Sequence, residues 1–104
     1  MKKIIALLTL AQMASANAFD DNPTALFNAQ NNAATSMTIE WRVVDDVDKA
    51  CATEAKKRGH KQFGYAVNAC SYWLDNNCVI ITKKRTSMHT LGHEVRHCFQ
   101  GNWH

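Results

Sequence analysis

The chain contains few of the residues that mark disordered or fibrous proteins. Its 104 residues include one proline and four glycines, while 46% are apolar and 20% are charged. Collagen-like repeats and flexible low-complexity chains contain far more proline and glycine, and disordered chains contain fewer apolar residues. The length leaves no room for two domains of ordinary size. These absences predict one small globular domain.

A long apolar run is also absent. A membrane-spanning helix needs about 20 apolar residues, whereas the apolar run 4–10 is much shorter. Lys2 and Lys3 precede this run, and the small-residue triplet 16–18 follows it. This order is typical of a secretory signal peptide, which we predict over residues 1–18. The mature protein is then expected to be periplasmic or secreted, without a membrane anchor.

The chain has little excess charge of one sign. Its formal net charge is +3, and cleavage after Ala18, or after Ala16 as a second possibility, would remove the two lysines of the leader. Basic clusters remain at 56–61 and 83–85. The first lies at the C-terminal end of a predicted helix, where it complements the helix dipole, and the second lies in a polar loop. Because no phosphate-binding loop accompanies them, we expect no nucleic-acid partner.

The cysteines include no C-x-x-C pair, the spacing that zinc-binding cysteines commonly share. All of them lie after the predicted leader, and an even number in an exported chain favours disulfides over a four-cysteine zinc site. In so small a domain each disulfide would contribute about 2–4 kcal/mol. Four cysteines can pair in three ways. We favour the arrangement with one disulfide within a predicted hairpin and one between two predicted helices on the same sheet face. These pairs are Cys70–Cys78 and Cys51–Cys98.

Residues 19–36 show no sustained apolar period. They predict a poorly ordered arm, or one that docks through Phe19, Leu26 and Phe27. From residue 37 the pattern sharpens, since the segment 38–44 alternates β-branched and aromatic residues with charged ones and predicts a strand. The arm and the folded part therefore divide at residue 37.

A helix is predicted over 47–58, because Asp45 or Asp46 can cap its start and Gly59 can end it. Two β-rich runs follow, and the polar residues 75–77 between them predict an antiparallel hairpin. A final helix of about fourteen residues should begin at a Thr86 or Ser87 cap and end at Gly101. Its apolar side is expected to consist of Met88, Leu91, Val95, Cys98 and Phe99.

The final helix carries His93-Glu94-Val95-Arg96-His97, which is the H-E-x-x-H motif. Imidazoles at positions i and i+4 of a helix converge on one ion at about 2.0–2.1 Å. Glu94 is one step round the helix, where it can take a proton from an activated water and pass it to a leaving amine. The alternative is a solvated helix face with two incidental histidines. The motif predicts a metal site with Glu94 as its catalytic group.

The motif and the element order resemble the zincin metallopeptidases, specifically very small single-domain members. The resemblance covers residues 38–104 in element order, while few residues match individually. It implies an α+β fold, a small twisted three-stranded sheet with two helices on one face, one zinc ion, and extended peptide or protein substrates antiparallel to an edge strand. It carries His93 and His97 over as zinc ligands and Glu94 as general base and acid.

A third zinc ligand is expected near the end of the motif helix, since catalytic zinc sites normally have three protein ligands. In the metzincin group the motif continues as H-E-x-x-H-x-x-G-x-x-H, whereas here Gly101 and His104 each come one residue later. We predict His104 as this ligand, through its imidazole or its α-carboxylate, with Trp103 packed as an anchor. His89 lies about 12 Å along the helix from His97, so the two cannot share one ion.

Together these features predict an exported zinc metallopeptidase whose zincin-like domain is residues 37–104. Two other classes of protein remain open. One is a periplasmic zinc-binding protein with a closed site, and the other is a degenerate zincin scaffold without catalysis. Coordination separates the metallopeptidase from the zinc-binding protein with a closed site, because a catalytic zinc keeps an open position and a structural zinc does not.

Overall fold

The computed structural model describes residues 12–16, 24–60 and 66–104. Most of the predicted signal peptide therefore lies outside the described residues. None of the helices in the described part is long and apolar enough to span a membrane. The elements are β1 (Gln12–Ala16), a short 3-10 turn (Ala29–Asn31), β2 (Thr38–Val43), α1 (Val47–Lys57), β3 (Ala69–Leu74), β4 (Asn77–Thr82) and α2 (Met88–Gln100).

The predicted α+β class is confirmed. Strands β3 and β4 form the expected antiparallel hairpin, whose tight turn places Asp75 at a φ of 55°, a left-handed conformation that Asp tolerates. The predicted strand 38–44 is β2, and it pairs in parallel with β4. The three predicted strands therefore form one mixed sheet.

Strand β1 adds a fourth member at the edge of this sheet, giving the order β1-β3-β4-β2. It pairs antiparallel with β3, and Ala14 lies opposite Ser71. Sequence analysis assigned these residues to the leader only, because they follow the apolar run 4–10 of the predicted signal peptide. Its pairing depends on the neighbouring strand rather than on local propensity.

Both helices begin and end where their capping residues predict. The side chain of Asp46 accepts a hydrogen bond from the Lys49 N–H at the start of α1. Ser87 does the same for the Thr90 N–H at the start of α2. Gly101 closes α2 with a φ of 68°, and its N–H donates to the carbonyl of His97. Local capping chemistry therefore sets the limits of both helices.

The helices lie on opposite faces of the sheet, so the expectation that they share one face is wrong. Val47, Cys51 and Ala55 of α1 pack with Cys70, Tyr72 and Ile81 of the strands. Cys98 of α2 packs with Cys78 and Ile80, which point the other way because side chains alternate along a strand. The physical reason lies in β3 and β4, which are buried on both faces and therefore need a cover on each.

All four cysteines form disulfides, as predicted, but both predicted pairings are wrong. The bonds are Cys51–Cys70 and Cys78–Cys98. Cys70 lies opposite Ile81 and Cys78 opposite Trp73, so the two hairpin cysteines point to different faces. Each disulfide instead joins one helix to the strand it covers. Two disulfides are consistent with an oxidising, extracellular compartment.

Part of the N-terminal arm is docked on α2 by hydrogen bonds. The N–H of Ala33 donates to the carbonyl of Phe99, and the side-chain amide of Gln100 donates to the Asn28 carbonyl. Of the apolar side chains expected to dock the arm, Leu26 remains in solvent at 84% exposed, whereas Phe27 is partly covered at 42% exposed. Phe19 lies outside the described residues.

We expect the two disulfides to stabilise the fold equally but to affect metal binding by the H-E-x-x-H helix differently. Their sequence separations are 19 and 20, so loop entropy predicts a loss of about 3 kcal/mol in the free energy of unfolding for either one. Only Cys78–Cys98 holds the motif helix. Urea denaturation and metal titration of the Cys78→Ser/Cys98→Ser double variant test this, with Cys51→Ser/Cys70→Ser as the matched control. Equal weakening of metal binding in both would contradict it.

Candidate metal centre

Three histidines meet at the C-terminal end of α2. His93 and His97 lie one turn apart on the helix and are buried, while His104 is exposed. The turn at Gly101 reverses the chain after the helix, which brings His104 back onto the motif. The predicted ligand set is therefore assembled from one helix and the segment that follows it.

The Nε2 atoms of these histidines form a small triangle. His93 and His97 are 3.2 Å apart, His93 and His104 are 3.1 Å apart, and His97 and His104 are 3.0 Å apart, each measured between Nε2 atoms. Three nitrogens at tetrahedral positions around an ion, each about 2.0–2.1 Å from it, would lie about 3.3 Å from one another. The observed spacing is close to this value. The three imidazoles could hold a metal ion.

The tautomer of His97 suits this role. Its Nδ1 lies 2.8 Å from the carbonyl oxygen of Gly101. Because a carbonyl oxygen only accepts hydrogen bonds, Nδ1 must carry the proton of the neutral ring, and Nε2 keeps its lone pair. A backbone carbonyl that holds the outer nitrogen in this way is a common partner of metal-ligating histidines.

Aromatic rings hold the histidines in place. Trp73 of β3 stacks on His97 with ring centroids 5.8 Å apart and planes 7° apart. Trp103 stacks on His97 at 5.1 Å and lies 5.0 Å from His93. The guanidinium of Arg96 lies 3.7 Å from the centroid of the Trp103 ring, a cation–π contact that fixes the indole. The expected anchoring by Trp103 is confirmed, whereas sequence analysis did not assign Trp73 to the site.

Glu94 does not belong to the triangle of donors. Its side chain is fully buried between α2 and the sheet, and Oε1 accepts a hydrogen bond of 2.8 Å from the hydroxyl of Ser71. Sequence analysis missed Ser71. Alternation along β3 carried the signal, because Ser71 and Trp73 occupy every second position and thus share the face that α2 covers.

The motif helix buries most of the predicted apolar side and the motif histidines as well. Cys98 is buried and Leu91, Val95 and Phe99 pack with it as predicted, whereas Met88 is 91% exposed and was wrongly assigned to this side. His93, Glu94 and His97 are also buried. The histidines are buried because β3 and Trp103 cover them, which the helical period alone does not reveal.

Two other candidates lie apart from the triangle. His89 is half-buried and lines a groove of about 470 Å³ with Phe27, Gly92 and His93. Tyr72, a hairpin residue whose hydroxyl could donate to a developing oxyanion, faces α1 on the far side of the sheet, where Arg58 lies over its ring.

The described part of the chain thus contains one cluster of three histidines with metal-ligand geometry, beside a buried carboxylate on the same helix. It is supported by a small α+β scaffold and two disulfides. Comparison with family models, with curated proteins and with solved structures finds no match for this chain.

Proposed function

We propose that this chain is an exported zinc-dependent metallopeptidase that is periplasmic or secreted. The observation that carries the proposal is the triangle of three Nε2 atoms, 3.0–3.2 Å apart, on the helix that also carries Glu94. Three protein ligands are typical of catalytic zinc, whereas structural zinc normally has four. Neutral nitrogen donors at tetrahedral spacing favour zinc over the harder ions calcium and magnesium.

The proposed reaction is hydrolysis of a peptide bond. Zinc held by His93, His97 and His104 would supply Lewis-acid polarisation of the scissile carbonyl and would lower the pKa of water. Glu94 would act as the base that accepts the proton of the attacking water and then as the acid that returns it to the leaving amine. Its hydrogen bond to Ser71 fits a carboxylate that must keep one orientation through both transfers.

The substrate is proposed to bind as an extended strand on β3. In the full chain this edge is occupied by β1, which lies antiparallel to β3 and also against α2. Ala14 of β1 lies opposite Ser71, the residue that contacts Glu94. If residues 1–18 are removed as a leader, the edge of β3 is left with unpaired backbone groups that an extended peptide can satisfy.

One observation favours a second candidate, a zinc-binding protein without catalysis. Glu94 is fully buried in the full chain, while a general base must reach the proton that it accepts. Loss of β1 would have to open this region for the peptidase proposal to hold. The two candidates therefore differ in what happens when the first 18 residues are absent.

The experiment compares the chain that begins at Phe19 with the full chain, both oxidised and loaded with zinc, against a library of peptides. A circular dichroism spectrum and amide exchange check that each is folded. We expect the shorter chain to cleave peptides. Cleavage should stop when a chelator removes the metal and should resume with added zinc. The full chain should cleave more slowly because β1 occupies the edge of β3. Stoichiometric zinc without cleavage by either chain would favour the zinc-binding protein.

A further inference from the structure

The contact between Ser71 and Glu94 is a buried polar pair between β3 and the motif helix. Both side chains are fully buried, and their hydrogen bond joins the middle of β3 to the motif helix. The neighbouring positions on this face of the sheet are Ala69, Trp73, Cys78, Ile80 and Thr82, and of these only Thr82 carries a hydroxyl.

Packing alone does not require a hydroxyl at position 71. An alanine there would continue the small side chain of Ala69, and burying a hydroxyl costs free energy unless it is hydrogen-bonded. Here the hydroxyl donates to a carboxylate, which needs donors even more when it is removed from water. The pair is therefore arranged around the carboxylate of Glu94.

The strand that carries Ser71 is well held. Ser71 lies opposite Ile80 of β4, and the preceding residue, Cys70, is joined by a disulfide to Cys51 of α1. The Glu94 side chain, by contrast, has three rotatable bonds of its own. A bond from a fixed strand to Oε1 sets the rotation of the carboxylate and thereby the place of Oε2.

We propose that Ser71 is a positioning residue that orients the carboxylate of Glu94 for proton transfer. The inference rests on the proposed peptidase function. Small displacements of a reacting group lower the rate of a reaction far more than they weaken substrate binding. Ser71 should therefore act on kcat through Glu94, and it should not affect how the three histidines hold a metal.

The test compares Ser71→Ala and Ser71→Thr with the wild-type protein and with Thr82→Val as a matched control. Thr82 is a buried hydroxyl on β4 that contacts Trp41. We expect Ser71→Ala to keep its zinc affinity and KM while kcat falls about 10- to 100-fold. Ser71→Thr should restore kcat because it keeps the hydroxyl, and Thr82→Val should leave it unchanged.

A second readout does not depend on activity. In zinc-loaded protein with ¹³C-labelled glutamate, the carboxyl signal of Glu94, assigned with Glu94→Gln, should move in Ser71→Ala and return in Ser71→Thr. A wild-type kcat in Ser71→Ala, or a carboxyl signal that does not move, overturns the positioning role. A parallel loss of zinc affinity that threonine fails to rescue also overturns it, since Ser71 would then only support the fold. A wild-type protein that cleaves nothing overturns the peptidase proposal instead.

Discussion

Replacing His104 with alanine should weaken zinc affinity by at least about 100-fold, more than loss of an outer-shell partner usually costs. The physical reason is that His104 contributes one of the three Nε2 atoms of the site, and two histidines alone hold zinc weakly. Competition against a chromophoric chelator measures the affinity. Because the variant keeps the backbone and Trp103, the rest of the site stays in place.

Two controls test whether the imidazole of His104 is the zinc ligand. His89→Ala removes a histidine of α2 that is not part of the triangle, so the zinc affinity of this variant should not change. A chain extended beyond His104 should also bind normally, because it is the Nε2 atom of His104 that lies in the triangle. Normal binding by His104→Ala together with loss of binding by the extended chain would instead identify a carboxylate ligand.

Replacing Glu94 with glutamine should lower kcat by at least about 100-fold while the zinc content stays near stoichiometric. Glutamine has the same shape, and its amide oxygen can still accept the hydrogen bond of Ser71, so the buried interface is preserved. It cannot accept a proton from water. Steady-state kinetics on a cleaved peptide test the fall in kcat, and metal analysis of the same sample tests whether zinc is retained.

Glu54→Gln provides the matched control for Glu94→Gln. Glu54 is a carboxylate on α1 that pairs with Arg42 and Arg58, on the far side of the sheet from the histidines. Its neutralisation should leave kcat unchanged. Loss of zinc in Glu94→Gln would show that Glu94 is a ligand, and an unchanged kcat would show that the carboxylate plays no part in the reaction.

Much of the local structure could be predicted because its causes lie within a few residues. Asp46 and Ser87 cap helices through N–H groups three residues away, and Gly101 ends α2 through its own φ. His93 and His97 meet because one helical turn separates them. Even the position of His104 beside the motif could be predicted, because only the short turn after Gly101 separates the two.

The tertiary structure decided what depends on distant residues. The opposite placement of the helices determines both disulfide pairings, since Cys70 and Cys78 point to different faces of the hairpin. The parallel pairing of β2 with β4 and the addition of β1 likewise depend on strand register. A shift of one residue in register moves every side chain to the other face, and no connecting turn fixes the register of strands that are distant in sequence.

The candidate site, like the fold, could be predicted from the sequence only in part. The three candidate ligands and Glu94 lie in one short stretch of sequence, so they could be proposed from their spacing. Their surroundings were not, because Ser71 and Trp73 reach Glu94 and His97 only when β3 packs against α2. The sequence by itself determined which groups are available for chemistry, through contacts that span one or two helical turns. The fold alone decided which of them are buried, oriented and covered, because those properties arise where distant segments pack together.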